Sequence, residues 1–245
     1  MSSNNNNDLT LYSNPGSVST KVKLILKYLG IPFTNVHINT ANNEQHTPEY
    51  KKINIHGKVP VLVDRSSGQE VTIFESGAIV LYILRKYPNE LIPDIATDLA
   101  GFINVFKWLE WQTSTVSSSE ANVLINKIFT PEPIPSIVEK YEGIYLRALT
   151  TLDEQLASNK YIAGDKLSAA DIVVYPHLAY LQLGIIPTFF ALKNIERYYK
   201  ELEQIPIILE AKNTLFEAVS KHPVISAFIQ KNKSAPAPVP APTQA

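Results

Sequence analysis

Over residues 9–88 the apolar positions switch between a period of two and a period near 3.6, whereas beyond residue 94 they keep the helical period. Residues 9–13, LTLYS, alternate over a strand's length and are followed by the turn signal Asn14-Pro15-Gly16-Ser17. Val22, Ile25, Leu26 and Leu29 then fall on one face of a helix that starts near Ser17, and Gly30 is its predicted stop. Residues 33–38, FTNVHI, alternate again. Thr47 and Pro48 read as N-cap and first residue of a short helix reaching about Ile53. VLVD at 61–64 and VTIF at 71–74 flank the polar, glycine-containing segment RSSGQ, which predicts an antiparallel hairpin. A further helix is predicted over 76–86 and ends at Tyr87-Pro88. The predicted order is β-α-β-α-β-β-α, and a β-α-β start requires a right-handed crossover and a parallel strand pair.

The remainder reads as helical throughout. Phe102, Val105, Phe106, Leu109 and Val116 mark a helical stretch over 97–121, broken at the proline-rich TPEPIP beginning at Thr130. Ile144, Leu149, Leu152 and Leu156 mark a helix over 137–157. Ser168 and Asp171 form a capping-box pattern, with Leu167 and Ile172 spaced as a hydrophobic staple. They open the almost wholly apolar run DIVVYPHLAYL, which predicts a buried central helix, and the two polar residues are read as structural. Helices are predicted at 192–203 and 207–219, with a short one after Pro223. The expected organisation is a tail over 1–7, an α/β domain over 8–87, a linker over 88–94, an all-helical domain over 95–231 and a Pro/Ala-rich disordered tail over 232–245.

Composition removes several classes of function. A net charge of -1 supplies no basic excess for displacing counterions, so no nucleic-acid partner is expected. No apolar run reaches the roughly 18 residues of a membrane span. The segment MSSNNNND lacks the charged and apolar parts of a signal peptide, and a cytoplasmic location is expected. The chain has no cysteine, which excludes disulfides, thiolate zinc sites and a cysteine nucleophile. Its 5 histidines show no ligand spacing, so no metal is expected.

The element order together with GKVPVLVD and FESGAI resembles the cytosolic glutathione S-transferase family, over about residues 9–229. The resemblance implies a thioredoxin-like first domain and an all-α second domain. It implies glutathione as co-substrate, no other cofactor, a small hydrophobic electrophile as second substrate and a homodimer. In that family the proline is cis, which here falls on Val59-Pro60, and the preceding residue's backbone pairs with the cysteinyl part of glutathione. Glu75 and Ser76 match the pair that takes the γ-glutamyl end. The chemistry is compatible. A helix N-terminus and the Ser76 hydroxyl suit a carboxylate, Glu75 suits an ammonium group, and Lys58 can reach the second carboxylate as a point charge. Gln45 and His46 sit in a stretch resembling the family's GEHKxPE, where the corresponding pair contacts the glycine carboxylate.

With no cysteine available, the chemistry implied is activation of glutathione's own thiol, which near pKa 8.5 is only a few per cent thiolate at neutral pH. One charge-assisted hydrogen bond of about 1.5–3 kcal/mol shifts that by roughly 1–2 pKa units. Asn14-Pro15-Gly16-Ser17 resembles the HPAS or LPGS motif of the phi- and delta-like, serine-type members, and Lys21 stands where they often carry a basic residue, so Ser17 is the expected catalytic hydroxyl. Ser13, Tyr12, Ser19 and Thr20 are its rivals, and the plainer alternative makes Ser17 only an N-cap. Tyr12, Phe106, Trp108, Trp111 and Tyr175 are the expected walls of the electrophile pocket. Attack on an electrophilic carbon and reduction of a peroxide both remain open. So do two alternatives: a non-catalytic relative like the elongation factor 1B gamma subunit or the Ure2-like regulators, and a carrier of glutathione or apolar ligands.

Overall fold

In the computed structural model, residues 8–184 and 191–233 are described. Strands β1 (Leu9–Ser13), β2 (Thr34–His37), β3 (Val61–Asp64) and β4 (Val71–Phe74) form one sheet in the order β2-β1-β3-β4. β1 runs parallel to β2 and antiparallel to β3, and β3 runs antiparallel to β4. Helices α1 (Ser17–Tyr28), α2 (Pro48–Ile53) and α3 (Ser76–Lys86) complete the first domain. The predicted β-α-β-α-β-β-α order is therefore present, and the unit is thioredoxin-like.

Alternation decides which side each strand residue covers. Leu9, Leu11 and Leu62 join α1 and α3 in the larger core, while Tyr12, Val61 and Val63 pack with Ile38 and Tyr50 of α2 on the opposite face. With both faces covered, every residue of β3 is buried. α1 ends as its glycine predicts: Gly30 has φ +65°, its N–H bonds to Lys27 O, and Ile31 N bonds to Leu26 O, the Schellman arrangement. The hairpin turn is held by Asp64, which accepts from Ser66 N, Ser66 Oγ and Tyr82 Oη and pairs with Lys86 at the end of α3.

The second domain opens with α4 (Leu99–Trp111), capped by the Asp98 side chain on Gly101 N at 2.8 Å. The helix does not stop at 121. It passes through wide i→i+5 turns at Gln112–Ser117, then α5 (Ser118–Val123), then a second wide segment at Leu124–Phe129, and ends at Thr130. Helices α6 (Pro135–Ser158), α7 (Ala169–Leu181), α8 (Lys193–Leu202), α9 (Pro206–Lys221) and α10 (Pro223–Lys233) follow. Every residue of α7 is buried, as its apolar run predicts. Asp171 at its start accepts from Ile162 N, Ser168 N, Ser168 Oγ and Tyr198 Oη at 2.7–2.9 Å, which ties α7 to α8 and to the preceding loop. α1 packs against α7 and α9, so the two domains share the larger core. Residues 1–7 and 234–245, where the tails are expected, lie outside the described residues; 232 and 233 belong to α10.

Candidate functional site

The β1–α1 turn is built on Asn14. Its Oδ1 accepts from Gly16 N and Ser19 Oγ at 3.0 Å each, and its carbonyl accepts from Lys23 Nζ. Gly16 is the N-cap residue of α1 with extended backbone, and Ser17 is the first helical residue. The serine is thus not the cap, and its hydroxyl is free of the helix's own N–H groups. Ser17 Oγ donates instead to Glu120 Oε2 in α5, at 2.8 Å.

Ser17 lines a cleft of about 390 Å³ between the domains. The first domain contributes the Asn14–Val18 turn, residues 37–41 and Val59. The second contributes Leu124, Phe129, Tyr180, Val219, His222 and Ile225. Among the four rivals, Ser13 is fully buried and donates to Asn35 Oδ1 at 2.6 Å, Ser19 and Thr20 serve the turn, and Tyr12 packs edge-on against Tyr50 on the far face of the sheet.

Val59-Pro60 and Glu75-Ser76 meet at one end of the sheet, where β3 begins beside the last residue of β4, and Gln45 and His46 lie against Gly57 just before it. The Val59–Pro60 peptide is cis. Lys58 is exposed, and its carbonyl accepts from Tyr50 Oη and Asn54 Nδ2 at 2.8 Å each, which fixes the backbone entering Val59. Gln45 and His46 form the turn Glu44–His46, seated against Gly57. A Cβ on Gly57 would lie 3.0 Å from His46 Nδ1 and 3.1 Å from Gln45 O, and its φ of +65° also calls for glycine. Gln45 Oε1 is buried without a hydrogen-bond partner among the described residues. Glu75, exposed, has φ 68° and ψ 116°, a conformation rare outside glycine. Ser76 follows it as the buried first residue of α3, and no side chain caps that N-terminus.

None of the five aromatics expected to wall the second pocket lines this cleft. Tyr175 is fully buried, stacked on Tyr199 at 5.0 Å; Phe106 stacks on Phe102; Trp108 and Trp111 pair edge-to-face at 5.2 Å. They pack with the core, as aromatics at helical spacing commonly do. The apolar wall comes from the second wide-turn segment and from α7, α9 and α10.

Behind Ser17 runs a polar chain that sequence reasoning missed. His177 Nδ1 lies 2.6 Å from the same Glu120 Oε2, Gln112 Nε2 lies 2.8 Å from His177 Nε2, and Lys21 Nζ lies 2.7 Å from Gln112 Oε1 and 3.3 Å from Thr113 Oγ1. Lys21, Gln112, Glu120 and His177 are all at most 3% exposed. Burial pulls the Lys21 ammonium down to about 8, against the raising influence of Glu110, Glu120 and Glu75. The one signal available was His177 itself, a single histidine inside an otherwise apolar helix.

A thioredoxin-like domain with a cis proline, joined to a helical domain across a cleft, defines the class of protein. Family models place the chain further: the glutathione S-transferase N-terminal domain matches residues 7–85 and the C-terminal domain matches 135–201. A glutathione S-transferase domain-containing protein of Dictyostelium discoideum is 31% identical over 187 residues, covering 75% of this chain and 72% of that protein. The chain belongs to the glutathione S-transferase family. Among solved structures, the glutathione transferase URE2P6 from Phanerochaete chrysosporium, in complex with oxidized glutathione, matches with a TM-score of 0.79 at 22% identity over 86% of this chain and 97% of that one. Ure2p in complex with S-hexylglutathione matches with a TM-score of 0.76 at 26% identity over 84% and 98%.

Proposed function

We propose that the protein is a glutathione transferase of the serine type. Glutathione lies across the surface formed by Gln45, His46, Lys58, the Val59 backbone, Glu75 and Ser76. The uncapped N-terminus of α3 receives the γ-glutamyl carboxylate, Glu75 faces its ammonium group, and the thiol meets Ser17. The thiolate attacks an electrophilic carbon, forming a thioether as the leaving group departs with its electron pair. The observation that carries this reading is that Ser17 and Val59 line one cleft with a largely apolar opposite wall, suited to a small hydrophobic second substrate. A homodimer fits exposed apolar side chains on both domains, Phe74 on edge strand β4 and Leu99 and Ile103 on α4.

The test is the thiol pKa of bound glutathione, read by thiolate absorbance, together with conjugation of a chlorinated nitroarene. The native protein should lower the thiol pKa. Ser17→Ala should return it toward the free value and reduce turnover about 10–100-fold, the equivalent of one charge-assisted hydrogen bond. An unshifted thiol in the native protein would sink the transferase reading.

One observation favours a second reading, a glutathione-binding regulator without turnover. The Ser17 proton is already given to a buried carboxylate. Retention on a glutathione matrix with no activity toward any electrophile or peroxide would support that reading.

A further inference from the structure

We propose that Glu120 is a positioning residue that receives the glutathione thiol proton through Ser17, so that thiolate forms in the site without releasing a proton to solvent. The inference rests on the transferase reading above.

The direction of every hydrogen bond in the chain behind Ser17 follows from its end. Below pH 8 the Lys21 side chain is an ammonium and only donates, so Gln112 turns its oxygen to Lys21 and its amide N–H to His177. His177 Nε2 therefore accepts, the ring's proton sits on Nδ1, and Nδ1–H donates to Glu120 Oε2. Ser17 O–H donates to the same oxygen. Both nitrogens of His177 are thus engaged in these roles, and the chain's proton acceptor is the Glu120 carboxylate.

The hydroxyl's single proton points away from the cleft. What Ser17 offers a ligand is a lone pair, which can accept from an S–H but cannot stabilise a thiolate. The site also already holds one buried anion, which the Lys21 ammonium offsets. Glu120 is 3% exposed, and a second negative charge beside it, on sulfur, would be strongly disfavoured. Both difficulties disappear if one proton moves. The S–H bond breaks and leaves its electron pair on sulfur while Ser17 Oγ takes the proton. The original Ser17 O–H bond breaks and its proton passes to Glu120 Oε2. The hydroxyl now donates to sulfur, the new carboxyl proton faces Ser17 Oγ, and the site holds one anionic group as before.

A separate observation agrees. Glu120 Oε1 is buried with no hydrogen-bond partner among the described residues. A permanent buried carboxylate would be expected to have both oxygens satisfied; a carboxyl that alternates with a neutral form has less need of it. The other titratable groups around Glu120 are Lys21, which interacts in turn with Glu110 and Glu75, and the phenols of Tyr145 and Tyr180, which burial keeps protonated. Neither phenol competes for the proton.

The test counts protons against thiolate. The native protein is mixed with glutathione in weakly buffered solution containing a pH indicator, and thiolate absorbance is read in the same sample. S-methylglutathione, which has no thiol proton, corrects for protons displaced by binding alone. Thiolate formation with no corrected proton release is the expected result, and Glu120→Gln should release one proton for each thiolate formed. One-for-one release by the native protein overturns the relay and leaves thiol activation standing. Bound glutathione with no thiolate overturns the relay and the transferase reading together. The native measurement decides the matter even if Glu120→Gln does not fold.

Discussion

Ser17 Oγ donates to Glu120 Oε2 at 2.8 Å, a bond that joins the first turn of α1 to α5 across 103 residues of sequence. Hydrogen bonds to a charged group contribute about 1.5–3 kcal/mol. A double-mutant cycle of Ser17→Ala and Glu120→Ala, read by urea unfolding, should give a coupling energy in that range. Additive single effects would mean that the contact carries no stability and that the carboxylate is held by His177 alone.

Lys21 should make stability rise with alkaline pH. Its ammonium has a folded value of about 8 against an ordinary 10.5, because burial disfavours the charge. Below pH 8 both states hold the proton and its contribution is flat. Between 8 and 10.5 the unfolded chain keeps a proton that the folded chain has lost, so stability rises with pH, by on the order of 3 kcal/mol. Lys23 is lowered to a similar value, also by burial. The measurement is therefore the difference between native protein and Lys21→Met across that window, and a flat difference would refute it.

Asp64 should act at the acid end. Burial alone would raise its carboxyl, but the bonds from Lys86, Ser66 and Tyr82 outweigh it and hold the pKa at about 2. The stability this confers is complete above the unfolded value near 4 and is lost as pH falls through 2. Lys86 is 25% exposed, so solvent screening leaves on the order of 1–2 kcal/mol. Asp64→Asn should flatten acid unfolding between pH 4 and 2, and an unchanged profile would refute the assignment.

The backbone plan was legible because local signals agreed with it. Gly30 stops α1, Thr47 and Pro48 open α2, and a five-residue polar gap makes the β3–β4 hairpin. The resemblance also led to Val59, Pro60, Glu75 and Ser76, each beside a recognisable strand or helix end. Glu120 was not legible. It sits in the polar stretch QTSTVSSSE, where Val116 is the only apolar marker of the helix. The wide turns at Gln112–Ser117 rotate Glu120 inward, because each i→i+5 bond shifts the residues after it around the axis. The pocket walls were not legible either: Trp108 and Trp111 were expected at the cleft, whereas Leu124 and Phe129, beyond the first wide turn, line it.

Glu75 joins stability to binding. Its backbone, at φ 68° and ψ 116°, costs on the order of 1–3 kcal/mol for a residue with a Cβ, and glycine would adopt it at little cost. Glycine also gains more freedom in the unfolded chain, which returns roughly 0.5–1 kcal/mol of that difference. Glu75→Gly should therefore raise the unfolding temperature while weakening glutathione binding, since the carboxylate proposed to face the ligand's ammonium group is gone. Glu75→Gln separates the two effects: the strain stays, the charge goes, and binding should fall with no gain in stability. Thermal unfolding and binding calorimetry on the two variants check this. If Glu75→Gly is more stable and binds glutathione as tightly as the native protein, the strained residue holds no part of the ligand, and the γ-glutamyl end must be recognised by Ser76 and the α3 N-terminus alone.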